Sequence, residues 1–179
     1  MKASQFSPRF GLLLATAAVA PWVAYSQVYL TEDQALHAIF PGESFVRKVV
    51  ALSPAEIRKI ETASGENVRS GTLIAWVSSK KNVVFVDQAL GKHEFITYVV
   101  GINAKKTVQG VEILEYRETY GYQVRGEQWR KQFVGKDATS PLKLTKDITN
   151  ISGATLSSSH VTGGVRRILQ TYEIVGERL

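Results

Sequence analysis

The chain of 179 residues is long enough for one domain plus a targeting segment. Its 22 Lys and Arg residues exceed its 16 Asp and Glu residues by a formal net charge of +6 at pH 7, without the long basic runs typical of nucleic-acid-binding proteins. Because the chain has no cysteine, disulfides, thiolate nucleophiles, iron–sulfur clusters and cysteine-attached haem are excluded, and redox chemistry would need an organic cofactor or a metal held by other side chains.

Residues 1–26 are predicted to be a secretory signal peptide. Lys2 and Arg9 form its basic region, residues 11–20 are apolar, and residues 24–26 include the small side chains that a signal peptidase prefers. An uncleaved membrane anchor is the alternative, but the apolar run is shorter than the roughly 20 residues that span a bilayer. We therefore expect a periplasmic or otherwise exported protein, which could associate with a membrane through a partner.

Residues 27–67 are predicted to form an N-terminal region with helices and a strand. Residues 31–40 and the segment that begins at Ser53 each start with a hydroxyl side chain, followed three residues later by Gln or Glu. This spacing is typical of a capping box at the start of a helix. Between these helices, residues 45–52 are rich in β-branched side chains and predict a strand.

Residues 68–179 are predicted to form the main domain. Its β-branched and aromatic segments predict four strands, at residues 73–77, 83–86, 95–102 and 108–116. The turns between them are short, which favours antiparallel hairpins over crossover connections. The predicted fold class is therefore α+β, a central antiparallel sheet with flanking helices in a single domain.

A helix is predicted at residues 159–172, because apolar side chains recur there at helical spacing. Arg166 and Arg167 fall away from the apolar stripe and are expected on a solvated face. Residues 120–139 follow the last predicted strand and form a long polar and aromatic connection. Long connections of this kind often carry functional residues.

The sequence Ser152-Gly153-Ala154-Thr155 stands just before the predicted last helix. A helix N-terminus presents unpaired amides and a partial positive charge, so small residues and hydroxyls there favour a phosphate site. The plain alternative is a serine-rich loop that caps the helix through Ser157 or Ser158.

The same tetrapeptide resembles the flavinylation motif of the FMN-binding domain family, and a second segment, residues 112–122 followed by Trp129, is similar to the strand and loop that precede the motif in that family. Members of this family are covalently flavinylated electron-transfer proteins, similar to the flavin subunits of the Rnf and sodium-pumping NADH:quinone oxidoreductase complexes. The resemblance implies that Thr155 carries FMN through a phosphoester bond. It also implies a cofactor-binding set around this threonine, formed by Ser152, Gly153, Ala154, Ser158, Glu118, Thr119 and Tyr120.

Within this set, Ser152, Gly153 and the helix amides would orient the phosphate. Glu118 and Thr119 would contact or flank the isoalloxazine ring. Two roles are possible for Tyr120, Tyr122 and Trp129: each could stack on the isoalloxazine ring, or each could serve in ordinary core or loop packing.

One position departs from the family pattern. The motif has an aspartate three residues before its serine, where this chain has Thr149. Either Asp147 fills that role through a longer loop, or Asn150 and Thr149 replace it.

The resemblance implies an exported carrier of covalent FMN, loaded by a separate flavin transferase with FAD as the donor. Its electrons would pass to or from a membrane complex or a periplasmic carrier. No metal is expected, because the three histidines are scattered without ligand spacing. A flavin-dependent reductase of a small molecule and a non-redox binding module of the same fold are the alternatives.

Overall fold

The computed structural model describes residues 27–118 and 120–179. The predicted signal peptide, residues 1–26, and the predicted ring neighbour Thr119 lie outside the described residues.

An antiparallel sheet of six strands forms the centre of the fold, in the order β1-β6-β5-β4-β3-β2. Its strands are β1 Gln27–Val28, β2 Phe45–Ala51, β3 Thr72–Ser78, β4 Val83–Leu90, β5 Phe95–Ile102 and β6 Val108–Tyr116. The predicted α+β class and the hairpin arrangement are confirmed. The two-residue β1 was missed by the sequence analysis because so short a strand shows no alternation of side chains.

The helices are α1 Glu32–Ile39, α2 Pro54–Ser64, the single turn α3 Glu127–Arg130 and the long α4 Thr155–Val175. Both predicted capping boxes are present. The amide of Gln34 donates to Thr31 Oγ1 at 3.2 Å, and a second box joins Ser53 and Glu56. Among the described residues, no helix has the length and apolar character needed to cross a bilayer.

The sheet separates two apolar layers, because successive side chains of a strand point to opposite faces. On one face, α1 packs through Leu36 and Ile39 against side chains such as Val84. On the other face, α4 packs against side chains such as Phe85, together with the segment that follows β6. The helix α2 lies beside α4 on this second face.

The two glycines in the middle of α4 allow close approach to its neighbours. A Cβ on Gly164 would lie 2.8 Å from Tyr98 Cζ, and one on Gly163 would lie 2.6 Å from Glu66 Cδ. Tight packing on both sides thus offsets the intrinsic cost of glycine in a helix, about 1 kcal/mol per residue.

The expectation that Arg166 and Arg167 lie on a solvated face is wrong. The Arg167 side chain is 8% exposed, and its Nη2 pairs with Asp87 Oδ2 at 2.6 Å. Arg166 Nη2 pairs with Glu66 Oε1 at 2.7 Å. Since α4 is covered by the sheet on one side and by α2 and its following loop on another, the helix has less solvent-facing surface than its sequence suggests.

Candidate functional site

The motif forms a tight turn that leads directly into α4. The Ala154 amide donates to the Ile151 carbonyl at 2.9 Å, and Gly153 adopts a φ of +80°, a conformation that favours glycine. Ala154 is the N-cap residue and supplies no side-chain cap. The first amides of α4 therefore lack a capping side chain and remain suited to an anion.

The helix begins at Thr155, one turn before the predicted start near Ser159, so that prediction is wrong. The alternative of a cap through Ser157 or Ser158 is also wrong, since both lie inside the first turn and are buried. The sequence obscured this turn because serine and threonine have weak helix propensity, whereas tertiary contacts to both serines favour the helix here.

A surface cleft of about 320 Å³ opens at the start of α4. Its lining comes from the motif, the helix start, the loop after β6 and the turn after β4, and consists of Lys92, Tyr120, Gly121, Gly153, Ala154, Thr155, Leu156 and Ser157. Thr155 is exposed. The threonine that the resemblance singles out is therefore accessible, at the end of a 21-residue helix.

A hydrogen-bonded chain holds the Thr155 hydroxyl in place. Asn150 Nδ2 donates to Thr155 Oγ1 at 3.1 Å, and Ser158 Oγ donates to Asn150 Oδ1 at 3.0 Å. Because the Thr155 oxygen accepts this bond, its own proton stays free to leave. Ser158, predicted to bind the cofactor, is fully buried, and its hydroxyl also lies 2.9 Å from the Ala154 carbonyl oxygen.

Asp147 is engaged elsewhere. Its carboxylate accepts from the amides of Lys143 at 2.9 Å and Leu142 at 3.1 Å, and pairs with Lys136 Nζ at 3.1 Å. Burial raises the pKa of the Asp147 carboxyl, but these amides and Lys136 outweigh it and hold the pKa below its ordinary value. Of the two alternatives for the missing motif aspartate, Asn150 is the side chain that contacts Thr155.

The end of β6 is joined to the first turn of α4. The Tyr116 hydroxyl donates to the Tyr120 carbonyl at 2.5 Å and lies 2.9 Å from Ser157 Oγ. Between them, Gly121 has a φ of +93°, and a Cβ there would lie 2.5 Å from the Tyr116 hydroxyl oxygen. The structure thus brings together the two separate segments on which the family resemblance rests.

Glu118 points toward the turn between β4 and β5. Its carboxylate accepts from the amides of Glu94, at 3.0 Å, and His93. Burial raises the pKa of Glu118, but the hydrogen bonds from these amides outweigh it and lower the pKa overall. Its predicted contact with the ring stays a prediction.

The remaining predicted residues differ in their placement. Tyr120 lines the cleft and is 78% exposed, while Tyr122 is 55% exposed. Trp129 is buried, and its Nε1 donates to the Thr149 carbonyl at 2.8 Å, so core packing is its role. Ser152 is exposed on the turn before the helix.

Four residues that line the cleft are absent from the predicted cofactor-binding set: Lys92, Gly121, Leu156 and Ser157. A lysine in a strand turn gives no sequence signal of its position. Only the register of β4 and β5, in which Leu90 pairs with Phe95, puts Lys92 in the turn facing the motif.

A second cavity of about 260 Å³ lies beside Arg167 and Asp87. The Arg167 guanidinium in this cavity is already engaged, since it pairs with Asp87 and also donates to the carbonyls of Asn67 and Gln88. Nothing of the motif reaches this cavity, so the cleft at Thr155 is the better candidate site. Among the described residues, no group of histidines and carboxylates could hold a metal ion.

Part of this chain is similar to known proteins. Residues 91–170 match the model of the FMN-binding domain family. The chain is also similar to one component of the Na⁺-translocating ferredoxin:NAD⁺ oxidoreductase complex of Acetobacterium woodii, with 31% identity over 87 residues, 44% of this chain and 42% of the relative. The match thus spans less than half of that relative's length. The predicted resemblance is confirmed, and FMN is the supported cofactor.

Proposed function

We propose that this chain is an electron-transfer flavoprotein that holds FMN in the cleft at the start of α4, through a phosphoester bond to Thr155. The observation that carries the proposal is the exposed Thr155 hydroxyl. It stands at an uncapped helix N-terminus, is oriented by Asn150, and lies within the segment that matches the FMN-binding family.

The residues present fit the phosphate of FMN. Gly153 and Ala154 keep side chains away from the approach to the helix amides. The macrodipole of the 21-residue α4 contributes about half a positive charge at this end. The β-branched side chain of Thr155 has few rotamers, and the bond from Asn150 selects among them.

Attachment would transfer the FMN half of FAD to Thr155. The Thr155 oxygen bonds to the phosphorus, the bond from that phosphorus to the AMP oxygen breaks, AMP leaves with the electron pair, and the hydroxyl proton passes to a base. Asn150 cannot serve as this base, because a carboxamide does not accept a proton near neutral pH. We assign the base and the catalysis of this step to a separate flavin transferase.

When bound, FMN supplies the capacity to accept and release electrons. This chain contributes the fixed position and the surroundings of the cofactor. Tyr120 offers an exposed aromatic face at the cleft, and the apolar Leu156 lies on its rim. An open rim of this kind allows a redox partner to approach the cofactor edge.

The relative named above is a subunit of a Na⁺-translocating ferredoxin:NAD⁺ oxidoreductase complex, which supports a redox partner in general for this chain. With the predicted signal peptide, the chain would work in the periplasm and associate with a membrane complex or a soluble carrier through protein contacts. Residues 27–67 would complete the fold, since they supply β2, which forms one edge of the sheet, and α1, which covers one of its faces.

The test is coexpression of the full chain with a flavin transferase, followed by intact-mass measurement. We expect a mass increase equal to FMN less one water in the wild type and none in Thr155→Ala. Thr62→Ala, at an exposed position of α2, is the matched control and should be modified normally. An unmodified and colourless wild type in the presence of an active transferase would overturn the proposal.

A further inference from the structure

Among the described residues that line the cleft, Lys92 is the only charged one. It lies in the turn of residues 91–94 between β4 and β5. The side chain is exposed, and it forms no ion pair with any carboxylate of residues 27–118 and 120–179. A full positive charge is therefore available in the cleft that Thr155 also lines.

The turn that carries Lys92 is fastened at both ends. The Glu118 carboxylate accepts from the amides of His93 and Glu94, and the Gly91 amide donates to the Glu94 carbonyl at 2.7 Å. The His160 ring, on α4, contacts the Leu90 carbonyl. The turn is thus tied both to the residues after β6 and to the helix that begins with Thr155.

Gly91 makes the contact with Glu118 possible. A Cβ at Gly91 would lie 2.5 Å from Glu118 Oε1 and 2.9 Å from its Cγ. A glycine at the first position of the turn therefore lets the carboxylate sit directly under the amides that follow.

The helix end alone does not neutralise the charge of the phosphate. A phosphoester to Thr155 keeps one negative charge, whereas the macrodipole of α4 contributes about half a positive charge. A charge-assisted hydrogen bond from an ammonium group is about twice as strong as a neutral one. Lys92 is the cation that the fold brings to the same cleft.

We infer that Lys92 binds the phosphate of FMN and that Glu118 is a positioning residue, which holds the 91–94 turn so that this lysine faces Thr155. This inference rests on the proposed function. It gives the Glu118 carboxylate a role that acts through Lys92 and requires no contact with the flavin ring.

The test compares FMN with riboflavin, which lacks the phosphate. The full unloaded chain is titrated with each flavin at equilibrium, as wild type, Lys92→Met, Lys92→Arg and the remote control Lys105→Met in the turn after β5. For Lys92→Met we expect about tenfold weaker FMN binding and unchanged riboflavin binding, the size of one charge-assisted hydrogen bond. Lys92→Arg should restore most of the FMN affinity, and Lys105→Met should match the wild type.

The positioning role is tested with Glu118→Ala, with folding checked by circular dichroism. The variant should also weaken FMN binding selectively, and combined with Lys92→Met it should add little further loss, because both changes remove the same contact. Additive losses would overturn the role of Glu118. Equal weakening of FMN and riboflavin by Lys92→Met, or no change, would overturn the role of Lys92.

Transferase loading at limiting FAD provides a second measurement. If the wild type loads normally and Lys92→Met loads as fast as Lys105→Met, only the inference on Lys92 fails. If the wild type neither binds FMN nor becomes loaded, the proposed function fails instead.

Discussion

The Tyr116 hydroxyl lies 2.9 Å from Ser157 Oγ and joins the end of β6 to the first turn of α4. Tyr116 is buried, and burial raises the pKa of its hydroxyl, so the group stays a neutral donor. Its proton goes to the Tyr120 carbonyl, which leaves Ser157 to donate to Tyr116. One tyrosine thereby sets the distance between the two walls of the cleft.

Gly121→Ala should destabilise the protein by about 3 kcal/mol. The added Cβ would meet Tyr116 and Ser157, and alanine is strained at a φ of +93°. Gly42→Ala is the control, because its φ is +74° with nothing within 4 Å, so only the backbone cost of about 1 kcal/mol applies. Urea unfolding measures both, and equal losses would contradict the close packing around Gly121.

Asn150→Ala should slow flavin loading of Thr155 by about tenfold, since the hydroxyl loses the hydrogen bond that selects its rotamer. The measurement is the time course of the modified fraction by intact mass, with the transferase present. Asn67→Ala, at an exposed position in the loop after α2, is the control. An unchanged rate for Asn150→Ala would mean that the bond to Thr155 does not orient the nucleophile.

Arg167→Met should lower the free energy of unfolding by about 3 kcal/mol, because it leaves the Asp87 carboxylate without its buried partner. Asp87 also accepts from the Tyr98 hydroxyl at 2.8 Å, so the loss reaches the centre of the sheet. Arg178→Met removes the exposed pair with Glu56 and should cost less than about 1 kcal/mol. Comparable losses in both variants would contradict the burial of Arg167.

Stability should fall at acidic pH in part through Asp147. Its pKa is lower in the folded chain than the ordinary value of 3.8, so its contribution is complete above that value. The contribution disappears as the pH falls through the lower folded pKa. Asp147→Asn should therefore be less stable than the wild type at pH 7, and the difference should shrink below about pH 4 in urea titrations.

Asp33→Asn is the matched comparison for this pH series, because the Asp33 side chain is 81% exposed. It should show a smaller difference from the wild type at pH 7. A difference between Asp147→Asn and wild type that stays constant from pH 7 to pH 3 would contradict the assigned role of the carboxylate.

Much of the fold was predictable because its signals are local. The capping boxes at Thr31 and Ser53 depend on residues three positions apart, and the β-branched strands are separated by short turns. The start of α4 was not predictable in this way. Its first turn is rich in hydroxyl side chains, which are poor helix formers. The helical conformation there is favoured by a contact with Tyr116, which is distant in the sequence, and by one with Asn150, which precedes the helix.

The sequence by itself determined the antiparallel α+β architecture, the absence of cysteine chemistry, the family resemblance and the threonine at its centre, because each depends on composition, periodicity or a contiguous motif. Only the tertiary structure decided that Asn150 contacts Thr155 while Asp147 pairs with Lys136, that Arg167 is buried, and that Lys92 faces the cleft. These arrangements depend on strand register and on packing between distant segments. The partner of a side chain depends on where the sheet and α4 bring the two residues together, and no local sequence pattern indicates that position.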